Sequence, residues 1–142
     1  MPQRIRIVIA DDHQGFRDNV AAILSREPDM LVVGQGASAP EALALAGQFH
    51  PDIILLDLDM PGDGLTVIEP ICSLNPRVRI VVLTSSGNDD HLDTALNAGA
   101  KGYVLKGVSA RQLVAIIRSI HDGGHYSPQN TSQRLPLFPA IS

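Results

Sequence analysis

The sequence has a single cysteine, Cys72, so no disulfide bond can form within the chain. It also lacks an excess of basic residues, since 11 lysines and arginines stand against 15 aspartates and glutamates and give a net charge of −4. Such a chain is poorly suited to neutralise nucleic-acid phosphates, so we expect no nucleic-acid binding by these residues alone.

Long hydrophobic runs are missing as well. No apolar stretch approaches the roughly 20 residues that a membrane-spanning helix requires. No basic segment followed by an apolar stretch resembles a signal peptide. We therefore expect a soluble, cytoplasmic protein that does not engage a membrane.

The apolar residues that are present suffice for one compact domain. They make up 44% of the 142 residues, and domains commonly have about 100 to 150 residues. Many fall in five short, continuously apolar runs rich in β-branched residues: Ile5 to Ala10, Met30 to Val33, Ile53 to Leu56, Ile80 to Leu83 and Tyr103 to Leu105. Runs of this kind indicate parallel strands that are covered on both faces.

Helical periodicity appears between these runs. Apolar residues at three- and four-residue spacing mark one amphipathic face near each end: Phe16, Val20, Ile23 and Leu24, then Leu113, Ile116, Ile117 and Ile120. The segment Ser38 to Glu41 has the form of a capping box and predicts a helix start. Pro70 predicts a kinked or shortened third helix. We interpret Gly34 and Gly36 as turn glycines.

The alternation of strand and helix predicts an α/β fold. We expect a flavodoxin-like, doubly wound sheet of five parallel strands in the order 2-1-3-4-5, with helices on both faces and right-handed crossovers. This domain is assigned to residues 1–122. Residues 123–142 are rich in proline and are predicted to be a linker or disordered tail, with no DNA-binding domain in this chain. Docking of Leu135, Leu137 and Phe138 on the domain is the alternative.

Polar side chains follow four of the predicted strands. Asp11 and Asp12 follow the first, Asp57 ends the third, Thr84 ends the fourth and Lys106 follows the fifth. The carboxyl ends of parallel strands share one edge of the sheet, and ligands bind there where the strand order reverses. We therefore expect all five side chains in one cleft.

This set of side chains favours phosphoryl chemistry. Three gathered carboxylates repel one another and call for a cation, and oxygen ligands suit Mg²⁺ or Mn²⁺. Lys106 offers a point charge for a phosphoryl oxygen, and Thr84 offers a hydroxyl donor. Asp11 or Asp12 capping the next helix is an alternative role. We expect structural or surface roles for Cys72 and for the five histidines: His13, His50, His91, His121 and His125.

Over residues 4 to about 122 the motifs resemble the receiver domain of two-component response regulators. The resemblance rests on four segments: Ile7 to His13, Ile53 to Gly62, Val81 to Thr84 and Gly102 to Lys106. The sequences of three segments are most similar to those of the NarL/FixJ (LuxR-type) subgroup: Ala10 to His13, Lys101 to Lys106 and His125 to Pro128. Members of this subgroup usually carry a C-terminal helix-turn-helix.

The resemblance implies a role for each site residue. Asp57 would accept phosphate from the phosphohistidine of a sensor histidine kinase. Asp11, Asp12, Asp57 and the backbone carbonyl of Asp59 would hold Mg²⁺. Thr84 and Lys106 would contact the phosphoryl group. Thr84 and Tyr103 would be the switch residues, with Tyr103 turning inward as Thr84 moves toward the phosphate.

The resemblance also implies how the signal leaves the domain. The switched surface would comprise the fourth helix, fifth strand and fifth helix, which in some receivers forms a phosphorylation-dependent homodimer. Transcription would be controlled through a helix-turn-helix in the full-length protein, and a stand-alone receiver acting by protein contact is the alternative. The implied chemistry is self-phosphorylation with slow autodephosphorylation rather than enzymatic turnover.

Two departures from the family pattern concern loops beside the site. The stretch Pro61 to Gly64 is one residue shorter than usual, which tightens the loop near Asp57 and predicts altered phosphate access or lifetime. Gly107 stands where many receivers outside this subgroup have a proline. We expect a more mobile loop there and a less fixed Lys106.

Three other classes of protein share part of this pattern. A haloacid-dehalogenase-type phosphatase also has a nucleophile motif like Asp57 to Asp59, but it places that motif near its first strand. A flavin binder shares the sheet, but its phosphate would be repelled by these carboxylates in the absence of a metal. A phosphorylation-independent scaffold would typically lack part of the acidic set.

Overall fold

The structure is a computed structural model that describes residues 4–85 and 89–127, where strands and helices alternate. The strands are β1 (Ile5–Ala10), β2 (Met30–Gly36), β3 (Ile53–Asp57), β4 (Arg79–Thr84) and β5 (Gly102–Leu105). The helices are α1 (Gln14–Ser25), α2 (Ala39–Phe49), α3 (Ile68–Leu74), α4 (Asp89–Ala98) and α5 (Ala110–His121). A short 3-10 helix, Gly64–Val67, precedes α3.

All five strands are parallel and lie in the order β2-β1-β3-β4-β5. Alternate residues of β3 show why the runs are continuously apolar: Ile54 and Leu56 face the cluster with α2, α3 and α4, whereas Ile53 and Leu55 face α1 and α5. All four side chains are fully buried. The predicted fold and strand order are confirmed, and the order reverses between β1 and β3.

The prediction for Gly34 and Gly36 is wrong, because both lie in β2 and pair with β1. Close packing of α2 explains their presence in a strand. A Cβ atom at either position would lie 3.1 Å from a methyl group of Leu45. Glycine lets the helix approach the end of this strand, and nothing in the local sequence shows that approach.

The sequence signals predicted the start of α2 and the short length of α3, but not the N-cap residue of α1. The Ser38 hydroxyl accepts a hydrogen bond from the Glu41 N–H at 3.2 Å, which confirms the predicted start of α2. Pro70 is the third residue of α3, which has only seven residues and is therefore short, as predicted. The capping alternative for Asp11 or Asp12 is wrong, since the residue at the N-cap of α1 is His13.

The chain stays packed beyond the boundary predicted at residue 122. Tyr126 forms a parallel bridge with Gly102 at the edge of β5. The Tyr103 N–H donates to the Tyr126 carbonyl at 2.9 Å, and the Tyr126 N–H donates to the Lys101 carbonyl at 3.1 Å. Tyr126 and Ser127 are both buried. The packed body therefore extends at least through Ser127.

The remaining predictions about the tail concern residues 128–142, which lie outside the described part of the chain, as do Leu135, Leu137 and Phe138. In the described ranges, no helix combines the length and the apolar character that a membrane crossing demands.

Candidate functional site

The predicted site residues meet at the carboxyl edge of the sheet. Asp11 follows β1 and Asp57 ends β3, so the two carboxylates lie on either side of the point where the strand order reverses. Thr84 ends β4, and Lys106 follows β5. Asp11 and Asp57 are each only 1% exposed, because apolar strands deliver them to the top of the core.

Four side chains form a compact group of potential ligands. One ligand atom each from Asp11, Asp12, His13 and Asp57 lies within 4.8 Å of all the others. Three are the predicted carboxylates, and the fourth is an imidazole that the sequence interpretation left among the structural or surface residues. Asp12 and His13 form the exposed side of the group, and the other two its buried floor.

The two oxygens of the Asp57 carboxylate differ in their hydrogen bonding. Its Oδ1 accepts a hydrogen bond from the Asp59 N–H at 3.1 Å. Its buried Oδ2 accepts none from the residues that the structure describes. Burial raises the pKa of the Asp57 carboxyl, and the nearby Asp11 carboxylate raises it further, while the Asp59 N–H and the Lys106 charge oppose the shift.

Lys106 is the cation of the site. Its Nζ lies 2.6 Å from Asp11 Oδ2 and 3.6 Å from Asp57 Oδ2. The same ammonium lies 4.5 Å from the centroid of the Phe16 ring. The Lys106 N–H donates to the Thr84 carbonyl at 2.8 Å, so the main chain after β5 is tied to the end of β4. The expectation of a less fixed Lys106 stays a prediction, and these contacts define its position here.

A charge count shows that the donors fit a divalent cation. The Asp11, Asp12 and Asp57 carboxylates bring three negative charges, against the Lys106 ammonium beside them and the Arg17 guanidinium that donates to the Asp11 carbonyl at 2.6 Å, so negative charge remains in excess. Asp57 Oδ2, buried and without a hydrogen bond, is an open acceptor in the same group. Oxygen donors of this kind suit Mg²⁺ or Mn²⁺. The ligand role of the Asp59 carbonyl stays a prediction.

The shortened loop after β3 is held at both ends. Gly62 and Asp63 both adopt positive φ, at 92° and 61°. The Pro61 carbonyl accepts a hydrogen bond from the Ala39 N–H at the start of α2. At the other end, a Cβ on Gly64 would lie 2.6 Å from the Asp57 carbonyl oxygen. The loop therefore packs directly on the residue that ends β3.

Tyr103 lies inside the body of the protein. Its side chain is fully buried and belongs to the apolar cluster that also contains Leu92 and Ala95 of α4. The structure thus places the predicted switch residue on the inner side of β5, next to α4. The change of position on phosphorylation stays a prediction.

Two residues of the site were missed in the sequence. Phe16 was identified as apolar helix surface, and its contact with Lys106 depends on a tertiary approach of α1 to the loop after β5. His13 directly follows the acidic pair. Its adjacency to two carboxylates was the available signal, whereas the spacing of the histidines along the chain provided none.

Comparisons with known proteins bear on both fold and site. Residues 7–118 match the family model described as the response regulator receiver domain. The chain is 36% identical over 124 residues to the transcriptional regulatory protein DegU of Brevibacillus brevis, a match that covers 87% of this chain and 52% of that protein. The chain therefore spans about half the length of this relative.

Solved structures agree with the family match. The signal receiver domain of the NarL regulator of Mycobacterium tuberculosis is similar with a TM-score of 0.82 and 32% identity, over 86% of this chain and 99% of that one. A two-component response regulator of the LuxR family from Aurantimonas sp. SI85-9A1 is similar with a TM-score of 0.84 and 29% identity, and the match covers 99% of this chain and 100% of that one. These matches confirm the subgroup predicted from the three motif segments.

Proposed function

The chain belongs to the response regulator receiver domain family, and on this premise we propose that Asp57 accepts a phosphoryl group from the phosphohistidine of a sensor histidine kinase. The observation that carries the proposal is the state of Asp57: a carboxylate 1% exposed, at the end of β3, with Oδ2 free of hydrogen bonds from described residues. An oxygen in this state is available as a nucleophile.

In the proposed reaction Asp57 Oδ2 attacks phosphorus and forms the new O–P bond. The P–N bond of the phosphohistidine breaks, and its electron pair and a proton end on the imidazole nitrogen of the kinase. The product is an acyl phosphate on Asp57. Mg²⁺ or Mn²⁺, held by Asp11, Asp12, Asp57 and the Asp59 carbonyl, would neutralise charge on the phosphoryl oxygens.

Lys106 has a direct part in this scheme. In the structure its ammonium pairs with Asp11 at 2.6 Å and is 3.6 Å from Asp57 Oδ2. A phosphoryl oxygen on Asp57 offers Lys106 a stronger anionic partner close to its present position. The Thr84 hydroxyl, at the end of the adjacent strand, donates to a second phosphoryl oxygen.

The same scheme gives the output. Movement of Thr84 toward the phosphate would change the packing of Tyr103, which already lies buried beside Leu92 and Ala95 of α4, and through it the surface formed by α4, β5 and α5. We propose that this surface mediates a phosphorylation-dependent homodimer, and that a helix-turn-helix in the full-length cytoplasmic protein then controls transcription. A stand-alone receiver that acts through protein contacts is the alternative, and both use the same switch.

Labelling of the purified chain tests the acceptor. We expect acetyl phosphate with Mg²⁺ to add one phosphoryl group, seen by intact-mass spectrometry, and we expect Asp57→Asn to remove the addition. Asp18→Asn, at an exposed position of α1, serves as the control. Equal labelling of Asp57→Asn and the native chain would overturn the assignment. Sustained phosphate release in place of a single addition would indicate the phosphatase alternative instead.

A further inference from the structure

His13 is oriented toward the acidic group by its own main chain. It is the N-cap residue of α1 in an extended conformation, and its N–H donates to Asp11 Oδ1 at 2.8 Å. This places the ring Nδ1 3.2 Å from Asp11 Oδ1 and 3.1 Å from Asp12 Oδ1. The ring nitrogen therefore lies among the carboxylate oxygens although 71% of the side chain is exposed.

We propose that His13 is a nitrogen ligand of the divalent ion in this site and that it shifts the metal preference of the chain from Mg²⁺ toward Mn²⁺. The inference rests on the proposed function, which places a divalent ion among Asp11, Asp12 and Asp57. It adds a ligand of a different chemical type to that site and a consequence for the identity of the ion.

The distances agree with a shared ion. Ligands at 2.0–2.1 Å from an octahedral ion are about 2.9 Å apart when adjacent. The Nδ1 atom of His13 lies 3.1 and 3.2 Å from its two carboxylate neighbours, close to that spacing. All four potential ligand atoms lie within 4.8 Å of one another, slightly beyond the roughly 4.2 Å between opposite ligands of such an ion, so side-chain rotation would be needed to bring them to one centre.

The burial of one member of the group also indicates a ligand. Asp57 is 1% exposed, and its Oδ2 atom has no hydrogen-bond donor among the described residues. The Lys106 ammonium, 3.6 Å away, compensates only part of the hydration that this oxygen loses on burial, and no hydrogen bond replaces the rest. An ion bound between His13 and Asp57 would supply the missing partner.

The chemistry of imidazole sets the direction of the preference. Mg²⁺ is a hard ion that favours oxygen ligands and keeps several waters, so it gains little from a nitrogen donor. Imidazole suits transition metals, whose affinities follow the Irving–Williams order. His13 should therefore strengthen Mn²⁺ binding, and Co²⁺ or Ni²⁺ binding further, with little effect on Mg²⁺.

A capping role gives a different expectation. If His13 serves only to start α1 and to hydrogen-bond Asp11, its replacement would lower stability and leave the ratio of Mn²⁺ to Mg²⁺ affinity unchanged. His13→Ser separates the two roles, because serine is a favourable N-cap residue and contains no side-chain nitrogen. His121→Ala is the matched control, since His121 also lies beside a carboxylate, Asp122, with 3.9 Å between Nδ1 and Oδ1.

The experiment measures Mn²⁺ and Mg²⁺ affinities by calorimetry, and nitrogen coupling in the electron spin echo of bound Mn²⁺. We expect His13→Ser to bind Mn²⁺ about tenfold more weakly, since changes to the residues around a metal site commonly lower affinity by about 10- to 100-fold. Its Mg²⁺ affinity should be unchanged. The ¹⁴N coupling should be present in the native chain and in His121→Ala, and absent in His13→Ser.

The outcomes separate this inference from the proposed function. An unchanged affinity ratio in His13→Ser, or a native chain whose bound Mn²⁺ shows no ¹⁴N coupling, overturns the role of His13 while Asp57 phosphorylation stands. A native chain that binds neither ion overturns the metal site itself. Equal loss of both ions in His13→Ser also counts against the inference, because it indicates a general change of the pocket.

Discussion

The Lys106 ammonium lies over the aromatic ring of Phe16, with 4.5 Å between Nζ and the ring centroid. A cation over a ring face is attracted by about 0.5 to 1 kcal/mol at a partly exposed site. Phe16 is half-buried on α1, and Lys106 also contacts the Asp11 carboxylate. Phe16 and Asp11 therefore both hold the ammonium at its position 3.6 Å from Asp57 Oδ2.

Replacement of this ring should slow phosphorylation. We expect Phe16→Leu to reduce the initial rate of Asp57 labelling about two- to fivefold, because the lost attraction of 0.5 to 1 kcal/mol leaves Lys106 less well placed. Phe16→Tyr retains the ring face and should keep the native rate. Labelling with acetyl phosphate measures both variants, and equal rates for Phe16→Leu and the native chain would exclude the positioning role.

The loop after β3 should tolerate no side chain at Gly64. A Cβ there would lie 2.6 Å from the Asp57 carbonyl oxygen and 3.0 Å from the Leu58 Cα, and both are main-chain atoms that cannot rotate away. We expect Gly64→Ala to lower the free energy of unfolding by about 1 to 3 kcal/mol, as overpacking does, and to slow Asp57 labelling.

Gly107→Ala is the matched control for that variant. It lies in the loop on the other side of the site, and a Cβ there would meet no atom within 4 Å. We expect stability equal to or slightly above that of the native chain, because alanine restricts the unfolded chain. Urea denaturation followed by circular dichroism measures both changes, and an equal effect of the two substitutions would contradict the packing argument.

The shifted pKa of Asp57 has a consequence for stability. Because burial raises this pKa, the ionised carboxylate costs stability in the folded state. The cost is absent below the usual pKa of an aspartate, where the group is neutral in both states, and it develops as the pH rises through the folded-state pKa. Asp57→Asn should therefore stabilise the fold at neutral pH by an amount on the order of 1 kcal/mol.

The advantage of Asp57→Asn should disappear near about pH 3, below the usual aspartate pKa. Urea midpoints at the two pH values, recorded in the presence of a chelator, measure the difference. Asp18→Asn is the control and should leave the midpoint unchanged at both. A destabilised Asp57→Asn at neutral pH would show that the carboxylate makes net favourable contacts instead.

A second charge cluster joins α5 to the turn before β2. Arg118 donates from Nε to Asp29 Oδ2 at 2.9 Å and from Nη2 to Glu27 Oε1 at 2.7 Å. The Arg118 hydrogen bond lowers the pKa of the Asp29 carboxyl. These groups are partly exposed, so screening limits their value, and Arg118→Gln should cost about 1 kcal/mol or less of unfolding free energy.

The lowered pKa of Asp29 determines how its contribution to stability depends on pH. A lowered folded-state pKa adds stability that is complete above the usual aspartate pKa and is lost as the pH falls through the folded value. The difference between native and Arg118→Gln should therefore shrink in acid and at high salt. Arg111→Gln, an exposed position on the same helix, is the control and should have little effect.

The central strands β1, β3 and β4 were predictable because they are buried on both faces, and such burial requires a continuous apolar run in the sequence. The strand order alone then predicted that four side chains would meet at one edge of the sheet: Asp11, Asp57, Thr84 and Lys106. Other features depend on approaches between distant segments. The packing of Leu45 of α2 on the glycines of β2 is one of them, and it left no local pattern.

The same reason explains why no sequence signal indicated the packing around Tyr126, beyond the boundary predicted at residue 122. Residues after Gly123 have no periodicity, and the segment around Tyr126 is ordered by main-chain bonds to β5 rather than by its own sequence. The sequence likewise identifies Phe16 only as an apolar helix residue, because its contact with Lys106 depends on how α1 packs in the fold. Sequence patterns report on one element at a time, and these contacts join two.

The bond from the Tyr103 N–H to the Tyr126 carbonyl has a mechanical consequence. Tyr126, near the end of the described residues, is attached to the main chain of the residue proposed to switch. Any sideways displacement of β5 would therefore move Tyr126 as well, because main-chain hydrogen bonds join Tyr126 directly to Lys101 and Tyr103. The segment around Tyr126 would thus respond to a shift of β5 through the main chain, independently of the side chains on the α4, β5 and α5 surface.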